Sequence, residues 1–182
     1  VSDLLTLLRQ MSSAVSERAA PRQLVSVIAR KQRTAIVATV VLENFRLTLP
    51  TGPSAGFTGD TSELAFLWCG PGHWLAMSDA ATDARSLEEQ LSDQFAGLAS
   101  VCDQSGSRVL FSVQGPNART LLAKGLGVDL HPQSFSPGDV AVSSIGHMGV
   151  QLWQVDAAPT YRLLVARSYA ESFRHWLQAA AG

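Results

Sequence analysis

Charge is scarce in this 182-residue sequence. Asp, Glu, Lys and Arg together make 16%, where about 25% is usual for a globular chain. A protein poor in charge has less polar surface to keep it monomeric, so part of it is expected to lie against a partner. Lysine is almost missing: 2 Lys stand against 12 Arg. Arg suits interfaces because its planar fork pairs bidentately and is weakly hydrated. No basic excess exists, since the net charge is −1, which argues against a nucleic-acid binder held by a cationic face. Cysteine is limited to Cys69 and Cys102, both inside apolar runs, so buried free thiols are expected and not a disulfide framework. No apolar run approaches the roughly 18 residues that span a bilayer. Val1–Gln10 shows no charged n-region followed by a long apolar segment, so no secretory leader is expected there and the setting is expected to be cytoplasmic.

What is present is a foldable core. The residues AVILMFWYC make 46%, enough to exclude wholesale disorder. Charge is uneven: residues 1–46 carry a net of +4, residues 47–106 a net of −7, and the remainder +2. Leu4, Leu5, Leu7, Leu8 and Met11 suit a short amphipathic helix, and Ser12–Arg22 reads as a polar linker. An arm over 1–22 followed by one α+β domain over 23–182 is the expected division. Val25–Ala29 and Ala35–Leu42 are rich in β-branched residues and read as strands, as does Phe45–Leu49. Pro50–Gly59 is a loop. Leu64–Cys69 and Trp74–Met77 are strands around the Gly70-Pro71-Gly72 turn.

Leu87, Leu91, Phe95 and Leu98 then make one helical stripe behind a Ser86/Glu89 capping box. Val101-Cys102 and Val109–Val113 follow as strands. Gly115-Pro116 opens a helix closed by Gly125 as C-cap. Val140–Ile145, Val150–Val155 and Tyr161–Ala166 are strands. Ser168 and Glu171 form a capping box for a last helix that buries Phe173, Trp176, Leu177 and Ala180. From Trp74 onward the order suggests a ferredoxin-like split β-α-β unit, then a β-β-α unit. No repeat of 20–50 residues is visible.

Catalytic patterns are thin. Gly52-Pro53-Ser54-Ala55-Gly56 matches G-x-S-x-G, but that motif needs a strand before it and a helix after it. Here loop and strand follow. His73, His131, His147 and His175 supply no second close ligand pair beside Cys69/His73, so a zinc site is not expected. Asp79, Asp83, Glu88, Glu89 and Asp93 lie around one helix and read as a solvated face. Gly125 and Gly127 close a helix where a dinucleotide fingerprint would open one. Trp68, Trp74, Trp153 and Trp176 read mostly as core, with interface contact as the other use.

Several stretches together resemble a known family. They are Gly70-Pro71 with Trp74-Leu75, Ser105 to Val109, Gly115-Pro116-Asn117-Ala118-Arg119, Leu122-Ala123-Lys124-Gly125 and Asp129-Leu130-His131-Pro132. Leu152-Trp153, Asp156, Ala158-Pro159-Thr160-Tyr161, Ser168-Tyr169-Ala170 and Trp176-Leu177 continue the pattern. The sequence thereby resembles the gamma subunit of heterotetrameric sarcosine oxidase, best over about residues 64–178. The resemblance implies a bacterial, cytoplasmic four-subunit flavoprotein that demethylates sarcosine oxidatively and yields glycine and hydrogen peroxide. It can also deliver the methyl carbon to tetrahydrofolate.

In such complexes alpha holds NAD and the folate site, beta holds FAD and FMN, and delta carries zinc. No cofactor falls to gamma, whose fold is related to the folate-binding domain of aminomethyltransferases. The aminomethyltransferase Y-T-G-E-x-G element corresponds to Ile145-Gly146-His147-Met148-Gly149 here, without its Tyr, Thr and Glu. The Cys of the K-G-C-Y-x-G-Q element in a folate-related factor is missing too.

The resulting expectation is a non-catalytic structural subunit in contact with alpha, beta and delta, alpha most directly. The 1–22 arm and the Pro50–Gly59 loop are expected to make contacts, with Arg9, Arg18, Arg22 and Trp68 at the interface. The alternatives are a free-standing folate-binding or one-carbon-transfer protein, or the same subunit in a related N-methyl amine dehydrogenase.

Overall fold

The computed structural model describes residues 14–18, 23–57, 64–79 and 85–181. By contact the chain divides into two compact units. The first is 19–107, and the second joins the N-terminal segment up to Arg18 to residues 108–182. The contact division begins the first unit at residue 19, where the sequence suggests an arm over 1–22. Ala14–Arg18, read as linker, is strand β1. It pairs antiparallel with β7 (Arg108–Gln114), Ala14 opposite Gln114 and Arg18 opposite Leu110. Its sequence is too polar to betray a strand by alternation. An edge strand of this kind is fixed by backbone bonds to its neighbour, not by an apolar face of its own.

The first unit runs β2 (Gln23–Ala29), α1 (Thr34–Phe45), β3 (Ala55–Phe57), β4 (Ala65–Gly70), β5 (His73–Ser78), α2 (Leu87–Gln94) and β6 (Ala99–Asp103). Its sheet has the order β3-β4-β5-β2-β6, and every pair is antiparallel. Without β3 this is the β-α-β-β-α-β arrangement of ferredoxin-like folds. The class matches the expectation, but the frame begins at Gln23 and not at Trp74.

The difference comes from α1. Ala35–Leu42 was expected as a strand and is helical, and Phe45–Leu49 closes that helix and enters a loop. β-Branched residues cost only tenths of a kcal/mol each in a helix. Val37 and Val41, four residues apart, are both 0% exposed, and their burial outweighs that cost. The helix stops at Arg46, which takes the left-handed conformation at φ 54° and donates its N–H to the Leu42 carbonyl. α2 follows its expected cap: Ser86 Oγ accepts from Glu89 N–H at 3.1 Å, and Glu89 returns a carboxylate to Ser86 N–H at 2.9 Å. It ends at Gln94, so Leu98 belongs to the turn after it.

The second unit runs β7, α3 (Ala118–Ala123), β8 (Val140–Ile145), β9 (Met148–Asp156), β10 (Thr160–Ala166) and α4 (Ala170–Ala181), with β1 from upstream. Its sheet order is β1-β7-β10-β9-β8. Matched strand for strand, the two units share one topology. In the first, the strand beside the leading one is β6, which follows α2. In the second that place is taken by β1, which precedes the other described elements. The repeat is longer than the 20–50 residues in which a sequence pattern is sought, and one strand is displaced in the chain.

Two expected caps differ. Gly125 has no left-handed φ. A Cβ there would lie 2.6 Å from Trp176 Cζ2, so glycine is required by the indole pressed on it. Ser168 lies inside a short 3-10 turn, Arg167–Tyr169, and the α-helix begins after it.

The cores are separate lists of side chains. Val25, Val27, Val37, Val41, Phe66, Trp74, Leu91 and Phe95 fill the first. Phe111, Val113, Leu122, Leu152, Tyr161, Leu163, Phe173 and Leu177 fill the second. There Phe111 and Phe173 meet at 4.8 Å between ring centroids.

Candidate functional site

Trp68 stands on β4 directly opposite Trp74 on β5. Trp74 is buried, and its indole N–H donates to the Pro50 carbonyl at 2.7 Å. That bond pins the loop after α1 over the sheet, helped by the buried side chains of Leu47 and Leu49. Trp68 N–H adds a bond to the Ser54 carbonyl at 3.2 Å. Between loop, sheet and helix lies a cavity of about 290 Å³, lined mostly by apolar groups of Ala38, Leu49, Pro50, Trp68, Pro71 and Trp74. It sits at the floor of the range, about 300–1,000 Å³, that takes small-molecule ligands.

The expected interface residues scatter. Trp68 walls this cavity, half-buried. Arg18 ends β1 in the other unit. Arg9 and Arg22 lie outside the described residues, as does the end of the Pro50–Gly59 loop. The sequence reading missed the outer face of α1, where Ile36 is 41% and Leu42 51% exposed. Only Glu43 is charged in TAIVATVVLENF, and Thr34, Thr39, Glu43 and Asn44 share the exposed side of the helix with Ile36 and Leu42.

The residues of the candidate catalytic patterns have local partners. Ser54 Oγ faces the Gly52 carbonyl at 3.5 Å, and β3 follows, not a helix. His73 Nε2 meets Ser26 Oγ across two strands at 3.1 Å. His131 Nδ1 accepts from Gln133 N–H at 3.3 Å. His147 turns the β8–β9 hairpin beside Gly146, both at positive φ. His175 lies 3.3 Å from Glu171 on α4. No group of three or more His, Cys, Asp or Glu able to hold a metal occurs among the described residues. Cys69 and Cys102 are free thiols, but only Cys69 is half-buried and Cys102 is exposed, against the expectation that both are buried.

The motif residues of the second unit tie its loops together. Gly115, at φ 104°, donates its N–H to the Pro159 carbonyl at 3.2 Å, which joins the G-P-N-A-R and A-P-T-Y elements. Arg119 Nε–H donates to the Leu130 carbonyl at 2.9 Å and joins α3 to the D-L-H-P element. Within that element Asp129 accepts from His131 N–H at 2.9 Å, which holds its carboxyl below the ordinary range. Tyr161 is buried with its ring 6.3 Å from Phe135, and burial pushes its phenol upward. Gly115 and Arg119 thus act as staples between loops.

A model of the sarcosine oxidase gamma subunit family matches residues 31–182. The chain belongs to that family. Among solved structures it is similar to a chain of the heterotetrameric sarcosine oxidase from Corynebacterium sp. U-96 in complex with pyrrole 2-carboxylate. The TM-score is 0.76 at 25% identity, covering 93% of this chain and 84% of that one. It is also similar in fold to the glycine cleavage system aminomethyltransferase T from Bartonella henselae. There the TM-score is 0.61 at 14% identity, over 90% of this chain and 44% of that one. A search of curated proteins returns no match. The α+β fold of this gamma-family chain is thus that of the aminomethyltransferase folate-binding domain.

Proposed function

We propose that this gamma-family chain is a structural, non-catalytic subunit of a cytoplasmic flavin-dependent sarcosine oxidase. It packs against the large alpha subunit of a heterotetramer completed by beta and delta. FAD, FMN, NAD, tetrahydrofolate and zinc then belong to those partners. The observation that carries this reading is the use of the family's own motif residues. Gly115, Arg119 and Pro159 each spend a polar group on a neighbouring loop, and Asp129 spends its carboxylate within its own, where a catalytic motif would direct such groups at a substrate. The solved relative, a chain of a heterotetrameric enzyme, supports the setting.

The isolated chain tests the reading. Incubated with sarcosine and an electron acceptor, it is expected to show no turnover. Titrated with tetrahydrofolate, its tryptophan fluorescence is expected to stay flat. Saturable quenching at micromolar folate would favour a free-standing one-carbon protein instead.

A further inference from the structure

The cavity between α1, the loop after it and the sheet grades from buried to exposed. Leu49, Pro50 and Trp74 are buried at its inner end, Trp68 is half-buried, and Thr34 and Thr51 are exposed at its mouth. Its walls are flat. Trp68 and Trp74 stand opposite each other on neighbouring strands, and the rings of Pro50 and Pro71 complete them. Trp74 spends its N–H on the Pro50 carbonyl, which leaves that indole only apolar surface to offer. Aromatic walls favour a flat ring through offset or edge contacts. An apolar cavity of about 150 Å³ takes one benzene. The space here, about 290 Å³, therefore has room for one ring, or two fused rings, with a short substituent.

The mouth selects the substituent. Among the described residues, no hydrogen bond occupies the hydroxyl of Thr34 or Thr51. Arg30, Lys31 and Arg33 lead into Thr34, all three exposed, and none is in an ion pair among the described residues. No acid lines the cavity. Thr34 also opens α1, whose first turn holds no acidic residue and whose N-cap makes no side-chain bond. The positive end of the helix thus adds to the same sign. This field favours an anion over a neutral group and disfavours a cation. A carboxylate accepts from hydroxyls and pairs with arginine.

We infer that this cavity binds a small aromatic carboxylate. The ring lies against Trp68 and Trp74, and the carboxylate sits at the mouth beside Thr34, in the field of Arg30 and Arg33. The site does not depend on the subunit role proposed above.

The test is isothermal titration of the full chain at low salt with three ligands of one shape: 2-naphthoate, the corresponding alcohol and the corresponding methylamine. Naphthoate is expected to bind once per chain with a Kd of about 10–100 μM. The alcohol is expected to bind about threefold to fivefold more weakly, and the cationic amine more weakly still. Ala38→Leu places a larger side chain in the cavity and is expected to weaken naphthoate about tenfold or more. Arg30→Gln/Arg33→Gln is expected to weaken naphthoate about threefold and to leave the alcohol unchanged. That variant keeps the test decisive should Ala38→Leu misfold. An absence of saturable naphthoate binding by the parent chain would overturn the inference. So would equal affinity for the three ligands, or parent-like naphthoate binding by folded Ala38→Leu or by the arginine variant.

Discussion

The helices α1 and α4 are each twelve residues long, in units of the same topology, yet they are built on opposite rules. α4 buries Phe173 and Leu177 and turns Glu171, His175 and Gln178 to solvent. It adds an ion pair of 2.5 Å between Arg174 and Glu171. α1 buries Val37 and Val41 and turns Ala35, Ile36 and Leu42 outward beside Thr39, Glu43 and Asn44. A shared fold does not require that difference: α1 leaves Ile36 and Leu42 exposed, whereas the exposed positions of α4 are mostly polar.

Stability measurements can break this comparison. Phe173→Ala empties a fully buried site and is expected to cost about 3–5 kcal/mol in chemical denaturation. Leu42→Ala, half-exposed on α1, is expected to stay within about 0.5 kcal/mol. A large loss at Leu42 in the isolated chain would mean that α1 is already covered. Glycines offer a second contrast. Gly125→Ala drives a Cβ into Trp176 and is expected to cost about 1–3 kcal/mol. Gly70, with nothing within 4 Å of an added Cβ, should accept Ala within about 0.5 kcal/mol. Ser86→Ala removes the α2 cap, for an expected loss of about 1 kcal/mol.

The smallest effect is a pH dependence. Asp103 accepts from Ser105 Oγ–H at 2.5 Å and from Ser105 N–H at 3.0 Å. These bonds hold its carboxyl below the ordinary value, the side-chain bond most of all. A depressed carboxyl stabilises the fold above its unfolded pKa of about 3.9 and loses that contribution as pH falls through the folded value. The stability difference between parent and Ser105→Ala should therefore be present at neutral pH and shrink in acid below about pH 4.

Where local chemistry decides the structure, the sequence was legible. The Ser86/Glu89 box, the Gly70-Pro71-Gly72 turn and the hairpin strands of the second unit lie where their residues place them. For α1 the β-branched content points to a strand, while the four-residue spacing of Val37 and Val41 fits the helix that forms. β1 and the shared topology were invisible because they depend on pairing across most of the chain. Gly125 was read as a conformational residue, but only the distant Trp176 explains it. For the site, Trp68 is singled out by the sequence, and the structure places it on the wall of the cavity. The face beside it became visible only once α1 was a helix.

The most direct measurement is the mass and visible spectrum of whatever co-purifies with this chain when all four subunits are expressed together. The account predicts a heterotetramer that carries flavin absorbance and oxidises sarcosine, while the chain purified alone is colourless and inert. A chain that elutes by itself from that mixture, or that turns over sarcosine without its partners, would contradict it.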